Sequence, residues 1–391
     1  MTDGLPPTLQ SESATVWPSL GRGVAVVVLL SFFLLGVNGL SDGFRAVGEG
    51  GLLDTFFSAT ENPFIALMVG ILATALVQSS SVTTSMIVAF VAAPGDPLPI
   101  ANAVPMVMGA NIGTTVTNMI VSMAHMGRKE EFRRAFRVAT CHDFFNLMAV
   151  AIFLPLELAT GYLQRTATAL SSMLTGIGGV DYDSPIKGAL KAALEPGKTL
   201  IDLVAPSEQV AGAILILLSG VTIFTALFLL VRVLRSALQT RVELVVSKAF
   251  GQSAIVAMLL GLVVTAMVQS SSITTSLLVP LAGASLITLE QAFPITIGAN
   301  IGTTVTALLA ALAATGVNAS AGITIALVHL LFNVSGTLLI YPIERVREIP
   351  LSAARWVADR VTERRRLAIL YVLLFFYGLP AVFAVIKNLL D

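Results

Sequence analysis

One stretch of this chain occurs twice. Ala-Leu-Val-Gln-Ser-Ser-Ser-Val-Thr-Thr-Ser spans residues 75–85, and Ala-Met-Val-Gln-Ser-Ser-Ser-Ile-Thr-Thr-Ser spans 266–276. Each copy is followed by the string Gly-Ala-Asn-Ile-Gly-Thr-Thr-Val-Thr, at 109–117 and again at 298–306. A third element closes each copy, with His142, Phe145, Asn146 and Pro155 answered by His329, Phe332, Asn333 and Pro342. Gln78 and Asn111 are 33 positions apart and their counterparts Gln269 and Asn300 are 31 apart. The order and spacing describe a tandem duplication, so whatever the first copy folds into, the second must fold into as well.

The apolar runs around these motifs place them in a membrane. Hydrophobic residues make up 55% of the chain and charged ones 12%, with a mean hydropathy of +0.87; soluble domains carry about 25% charged residues. The run at 22–40 is long enough to cross a bilayer at about 20 residues per span, and the Gly-Val-Asn-Gly-Leu-Ser-Asp behind it is a poor cleavage site, so it reads as a retained helix. Formal net charge is zero, which gives nucleic acid no basic surface. The single cysteine, Cys141, has no disulfide partner, and three scattered histidines do not make a metal cluster.

In each copy, two apolar pieces too short to span are separated by the Gln-Ser-Ser-Ser knot: 64–77 and 82–93, then 253–268 and 273–288. This is the pattern of a broken or re-entrant helix pair, because irregular backbone at membrane depth is tolerated only where it faces protein or a wet cavity. The glycines of Gly-Ala-Asn-Ile-Gly-Thr-Thr predict a second, unwound stretch in each half. The predicted architecture is an all-α polytopic membrane protein of two repeats. Its segments are an arm at 1–21, a first repeat at 22–160, a long outer loop at 161–208, a second repeat at 209–342, a basic amphipathic segment at 343–367 and a last span with the C-terminus at 368–391. Basic clusters at 128–137, 232–248 and 343–367 favour the cytoplasmic side, and with them inside, the two repeats run in opposite directions.

Gln, Ser and Thr supply donors and acceptors without net charge, and each half-helix that restarts after a break points free N–H groups and a positive dipole end at the gap. No Lys or Arg lies within either broken pair. A neutral cradle for an anion follows, with Gln78, Ser79, Ser80, Ser81, Gln269, Ser270, Ser271 and Ser272 as candidate ligands. Hard cations such as sodium, held by oxygens, would offset the buried negative charge. Candidate cation ligands are Gln78, Asn111, Thr114, Thr117, Asp143, Gln269, Ser270, Asn300, Thr303 and Thr306. Asp143 is the one acidic residue at membrane depth within the repeats, and its counterpart is Leu330, so a cation site there belongs to one half only. The bland readings are an Asp143–Arg137 ion pair, packing or hydrogen-bonding roles for His142 and His329, a headgroup-facing Arg cluster at 355–366, and an ordinary loop at Asp181-Tyr182-Asp183.

The paired Gln-Ser-Ser-Ser motifs, the paired Gly-Ala-Asn-Ile-Gly-Thr-Thr-Val-Thr strings and the run Glu-Phe-Arg-Arg-Ala-Phe-Arg-Val-Ala-Thr-Cys-His-Asp-Phe-Phe-Asn at 131–146 resemble the type II sodium-dependent phosphate cotransporters, in a short bacterial version. The resemblance implies inorganic phosphate between the two Gln-Ser-Ser-Ser tips, co-transported sodium ions at sites that include Thr114, Thr303 and Thr306, no organic cofactor, and a multi-pass location in the lipid bilayer of the bacterial inner membrane. Asp143 stands where that family has aspartate in electrogenic members and glycine in electroneutral ones. The 161–208 loop is short and lacks a glycosylation sequon, a departure from the animal members. Sulfate, arsenate or another oxyanion, or proton coupling through Asp143, keeps the fold and changes the ligand. A serine hydrolase using His142 or His329 and a passive anion channel are the rivals from other classes; the hydrolase lacks a nucleophile elbow or a Ser-Lys pair and has no need of two inverted copies, and saturable uptake against a gradient would exclude the channel. The sequence sets no oligomeric state.

Overall fold

A computed structural model describes residues 19–47, 58–93, 97–177, 185–249, 253–314 and 318–383. Every regular element in them is helical: α1 (Ser19–Val47), α2 (Pro63–Val77), α3 (Ser80–Val91), α4 (Ile100–Gly113), α5 (Thr115–Met123), α6 (Lys129–Thr160), α7 (Tyr162–Ile177), α8 (Pro185–Val204), α9 (Glu208–Ala249), α10 (Ala254–Val268), α11 (Ser271–Gly283), α12 (Leu289–Ala313), α13 (Ala319–Ile340), α14 (Glu344–Glu363) and α15 (Arg366–Val372), which runs on into a π-helical turn at Leu373–Gly378. Seven stretches are long and apolar enough to cross a membrane: Gly21–Leu40, Ile100–Met123, Lys129–Thr160, Glu208–Leu230, Leu289–Leu312, Ala319–Ile340 and Arg366–Phe383. The protein is all-α and polytopic. Residues 1–18 of the expected N-terminal arm and the Asp-Tyr-Asp at 181–183 lie outside the described residues.

The broken pairs are α2/α3 and α10/α11, at 15 and 12 residues in the first and 15 and 13 in the second. Local chemistry starts and stops them. Asn62 caps α2 by accepting from Phe64 and Ile65 N–H, with Pro63 in the first helical position, and Ser253 caps α10 through Val256 N–H. Both helices end on a glutamine in the left-handed region, Gln78 at φ 57° and Gln269 at φ 58°. The following serine is extended in both, and a new helix starts one residue later.

The second motif behaves differently from expectation. In the first half only Thr114 interrupts the helix between α4 and α5, and its dihedrals remain helical; in the second half α12 passes through 298–306 unbroken. The glycines serve close packing instead. A Cβ on Gly70 would stand 2.0 Å from Met106 O and one on Gly109 2.0 Å from Leu67 O; on Gly261 it would meet Ile295 O at 2.1 Å and on Gly298 Met258 O at 1.9 Å. So α2 lies backbone to backbone on α4, and α10 on α12, through small residues as membrane helices do.

The stretch expected as an outer loop, 161–208, is mostly the helices α7 and α8. Gly161 at φ 65° ends α6, and the Glu157 carboxylate accepts from Leu163 N–H at 2.6 Å and Gln164 N–H at 3.2 Å, capping α7 at once. The apolar side of α7 then packs on α13, with Leu163 and Ala167 fully buried. An amphipathic helix next to a bundle buries its apolar stripe, and Gly and Pro in the sequence hid that stripe. α8 lies against α1 and is tied to it by the ion pair of Lys198 and Asp42. The basic segment near the C-terminus forms α14, which runs along α6 over a small core of Phe132, Phe136, Ala358 and Val361 and is pinned by Arg137–Asp359 at 2.7 Å and Arg355–Glu290 at 2.6 Å.

Gly298→Ala is expected to destabilise the protein by about 1–3 kcal/mol or more, since a backbone carbonyl cannot step aside. Gly220→Ala, whose Cβ meets nothing within 4 Å, is expected to be neutral or slightly stabilising. Thermal unfolding of the purified protein in detergent measures both; equal behaviour of the two variants would contradict the backbone contact.

Candidate functional site

The two breaks meet. Ser81 Oγ donates to the backbone carbonyl of Gln269 at 3.1 Å, joining the tip of the first broken pair to that of the second across 188 positions of sequence. Ser80, Ser81 and Ser271 are 3%, 4% and 2% exposed, so the meeting point is buried. Ser79 caps α3 by accepting from Val82 N–H at 3.3 Å; Ser270 occupies the same place before α11 without such a bond, and Ser272 is buried in the first turn.

The glutamine side chains are held alike. Gln78 Nε2 folds back onto Ala75 O and Gln269 Nε2 onto Ala266 O at 2.5 Å. Thr117 Oγ1 donates to Gln78 Oε1 at 2.9 Å and Thr306 Oγ1 to Gln269 Oε1 at 2.6 Å. Four sequence candidates are thus joined in two equivalent pairs. The left-handed glutamines cost about 1–2 kcal/mol each relative to ordinary helix. A left-handed non-glycine residue at the same place in both copies makes the breaks a candidate for function. Free N–H groups at the starts of α3 and α11, hydroxyls and amides converge here without a basic side chain, which suits an anion.

Behind the tips a belt of histidine and asparagine crosses between the halves. His142 Nε2 pairs with Asn300 Oδ1, and Asn300 Nδ2 donates to Asn146 Oδ1 at 2.8 Å. In exchange, His329 Nε2 pairs with Asn111 Oδ1 at 3.1 Å, and Asn111 Nδ2 donates to Asn333 Oδ1 at 3.4 Å. Each histidine therefore holds the Gly-Ala-Asn motif of the opposite half. These contacts assign an Nε2–H tautomer to both rings. Thr115 Oγ1 then donates to His142 Nδ1 at 3.2 Å, whereas Thr304 bonds to Ile301 O and leaves His329 Nδ1 buried without a partner. Hydrogen bonding is the role the bland reading gave both histidines. Asn111 and Asn300, proposed as cation ligands, have their side chains committed to this belt.

The remaining cation candidates divide. Thr114 and Thr303 hydroxyls bond back to Ala110 O at 3.1 Å and Ala299 O at 3.0 Å within their own helices, so no unwound carbonyls accompany them. Asp143 is fully buried; it does not pair with Arg137, which reaches Asp359, but accepts from the Tyr371 hydroxyl on Oδ2 and keeps Oδ1 without a partner. Among the described residues no group of three or more His, Cys, Asp or Glu is arranged to hold a metal.

Several residues at the site gave little sign in the sequence. Asn118 Oδ1 accepts from Thr275 Oγ1 at 3.0 Å, another bond between halves, and its counterpart is Ala307. Thr74 Oγ1 is buried without a partner, although its counterpart Thr265 bonds to Thr274 at 2.8 Å. Tyr371 and Tyr377 reach in from the last span. A position-by-position comparison of the two copies would have marked Asn118 as a departure from the repeat; the tyrosines lie outside both copies and carry no such mark.

Comparison with known proteins follows the same outline. The profile of the Na+/Pi-cotransporter family matches residues 32–181 and 222–348. The chain is 33% identical to human sodium-dependent phosphate transport protein 2B, with 92% of this chain and 64% of that protein aligned, and 34% identical to rat sodium-dependent phosphate transport protein 2A, with 96% and 69% aligned. It therefore spans just under two thirds of the length of the human relative. No solved structure matches it.

Asn300→Ala strands His142 and the Asn146 side-chain carbonyl together in the interior, and is expected to cost about 2–6 kcal/mol, about one to three for each unsatisfied group. His142→Ala combined with Asn300→Ala should cost less than the two single changes added, by about 0.5–3 kcal/mol. Additive losses in unfolding of the purified protein would mean that the belt is not a linked unit.

Proposed function

The chain belongs to the Na+/Pi-cotransporter family, and from that premise we propose that it is a secondary active symporter of inorganic phosphate coupled to sodium, a transporter and not an enzyme. The observation that carries the reading is the Ser81–Gln269 contact: two chain breaks, each with a left-handed glutamine and a helix start, brought together in the interior. Phosphate would sit between Gln78–Ser81 and Gln269–Ser272, receiving hydrogen bonds from serine hydroxyls, amide groups and the N–H groups of α3 and α11. The similar proteins carry sodium-dependent phosphate transport in their names, which supports both the ligand and the coupling ion.

Sodium has an evident place in the physics. An anion buried among neutral dipoles is stable only beside cations, so the doubly loaded carrier can rearrange where the half-loaded one is penalised. Asp143 Oδ1, buried and unpartnered, is the strongest candidate oxygen, with Thr117 and Thr306 beside the glutamines next. Asp143 stands where the resembled family has aspartate in its electrogenic members, and this resemblance favours electrogenic uptake. Alternating access would be a rocking of two inverted repeats, in the plasma membrane of a bacterial cell, with the basic cluster around α14 inside. The same cradle would accept other tetrahedral oxyanions, and arsenate, which shares the protonation of phosphate near neutral pH, is expected to compete more strongly than sulfate, which carries no proton to donate to the cradle.

Initial uptake of labelled phosphate by proteoliposomes should require an inward sodium gradient; undiminished uptake with choline in place of sodium would refute the coupling. Gln78→Gly and Gln269→Gly relax the left-handed backbone and remove the side chain with its carboxamide, so folding should persist while uptake falls about 10–100-fold, the worth of one or two hydrogen bonds to an ion. Wild-type uptake in both variants would remove the glutamines from the site. Asp143→Gly should retain phosphate uptake and lose the net current, and an unchanged ratio of charge to phosphate would count against Asp143 as a sodium ligand.

A further inference from the structure

The last span lies outside both repeats, yet two of its side chains enter the first half's site. The Tyr371 hydroxyl donates to Asp143 Oδ2. One turn and a half further on, Tyr377 Oη donates to Ala75 O at 3.0 Å and stands 3.4 Å from Gln78 Nε2, which donates to it. Between them the helix widens into the π turn Leu373–Gly378, where Leu379 N–H bonds to Leu374 O. A π turn rotates all that follows relative to an ordinary helix, and such turns recur at functional sites. Here it turns Tyr377 toward α2 while Tyr371 faces α6. The rings are fixed by their neighbours: Tyr371 stacks on Phe375 at 5.7 Å and meets the edge of fully buried Phe376 at 6.2 Å.

Nothing equivalent is present in the second half among the described residues. Asp143 is matched by Leu330, and the amide of Gln269 is held by Ala266 O and Thr306. The span packs on α2 through the π turn and on α5 through α15, both elements of the first half.

We propose that Tyr371 and Tyr377 are positioning residues with separate duties: Tyr371 fixes the Asp143 carboxylate so that Oδ1 faces a cation, and Tyr377 fixes the Gln78 carboxamide for the oxyanion. The inference rests on the transport reading above. It makes the last span a further element that distinguishes the two halves.

The test is uptake of labelled inorganic phosphate by proteoliposomes holding wild type, Tyr371→Phe, Tyr377→Phe or Tyr162→Phe, over a sodium series at saturating phosphate and a phosphate series at saturating sodium. Tyr371→Phe should raise the half-saturating sodium concentration about tenfold, the effect of one hydrogen bond to a charged group, and leave the phosphate KM within about twofold. Tyr377→Phe should raise the phosphate KM about three- to tenfold and leave the sodium requirement within about twofold. Tyr162→Phe, which loses a 3.0 Å bond to Ser335 on α7 and α13, should move neither. If a phenylalanine variant is not recovered folded, 3-fluorotyrosine at that position keeps ring and hydroxyl and must shift the same constant alone. Variants that move both constants together, or neither, overturn the assignment while wild type still transports. A wild type without sodium-dependent uptake overturns the transport reading and this inference with it.

Discussion

Hydrocarbon offers no hydrogen bonds, so a chain that stops being helical within it must find partners for its own backbone in protein. This constraint governs the whole structure. Each Gln-Ser break in α2/α3 and α10/α11 interrupts the helical ladder, and the breaks are admissible because they face one another. Ser81 satisfies the Gln269 carbonyl, Thr117 and Thr306 satisfy the glutamine amides, and the histidine–asparagine belt closes the volume behind them. The polarity that makes the tips useful to an ion is the same polarity that makes them tolerable in the fold.

What could be read from the sequence followed from repetition and periodicity. Two apolar pieces of sub-span length around a polar knot identify the broken pairs, and their observed bounds differ from the expected ones by a few residues. Gln78 with Thr117 and Gln269 with Thr306 were legible as candidates because both members of each pair recur in both copies. The glycine-rich motif misled because glycine has two uses that composition does not separate. Freedom to unwind and permission for close approach look alike until a partner helix is placed against Gly109 and Gly298. The start of 161–208 misled for the opposite reason: the apolar stripe of α7 faces α13, a neighbour no local pattern announces.

The duplication is also informative where it fails. Asp143 is answered in the repeat by Leu330 and Asn118 by Ala307, and Thr115 holds a histidine nitrogen that Thr304 does not. At the meeting point Asp143 and Asn118 are polar groups that the second half lacks, and the last span brings its two tyrosines to the same side. A scaffold with equivalent halves would bind its ligands with no preference for either; these additions give the shared site a direction.

The carbonyl contacts at Gly70, Gly109, Gly261 and Gly298 have a mechanical consequence. With main chain touching main chain there is no layer of pliant side chains to shear, so α2 with α4 and α10 with α12 must each travel as a stiff plank. Hydroxyls and carboxamides between the planks can exchange one partner for another at little cost. Motion between these planks would fall on the seam where the solutes would lie, and an ion that bridged that seam would act directly on it.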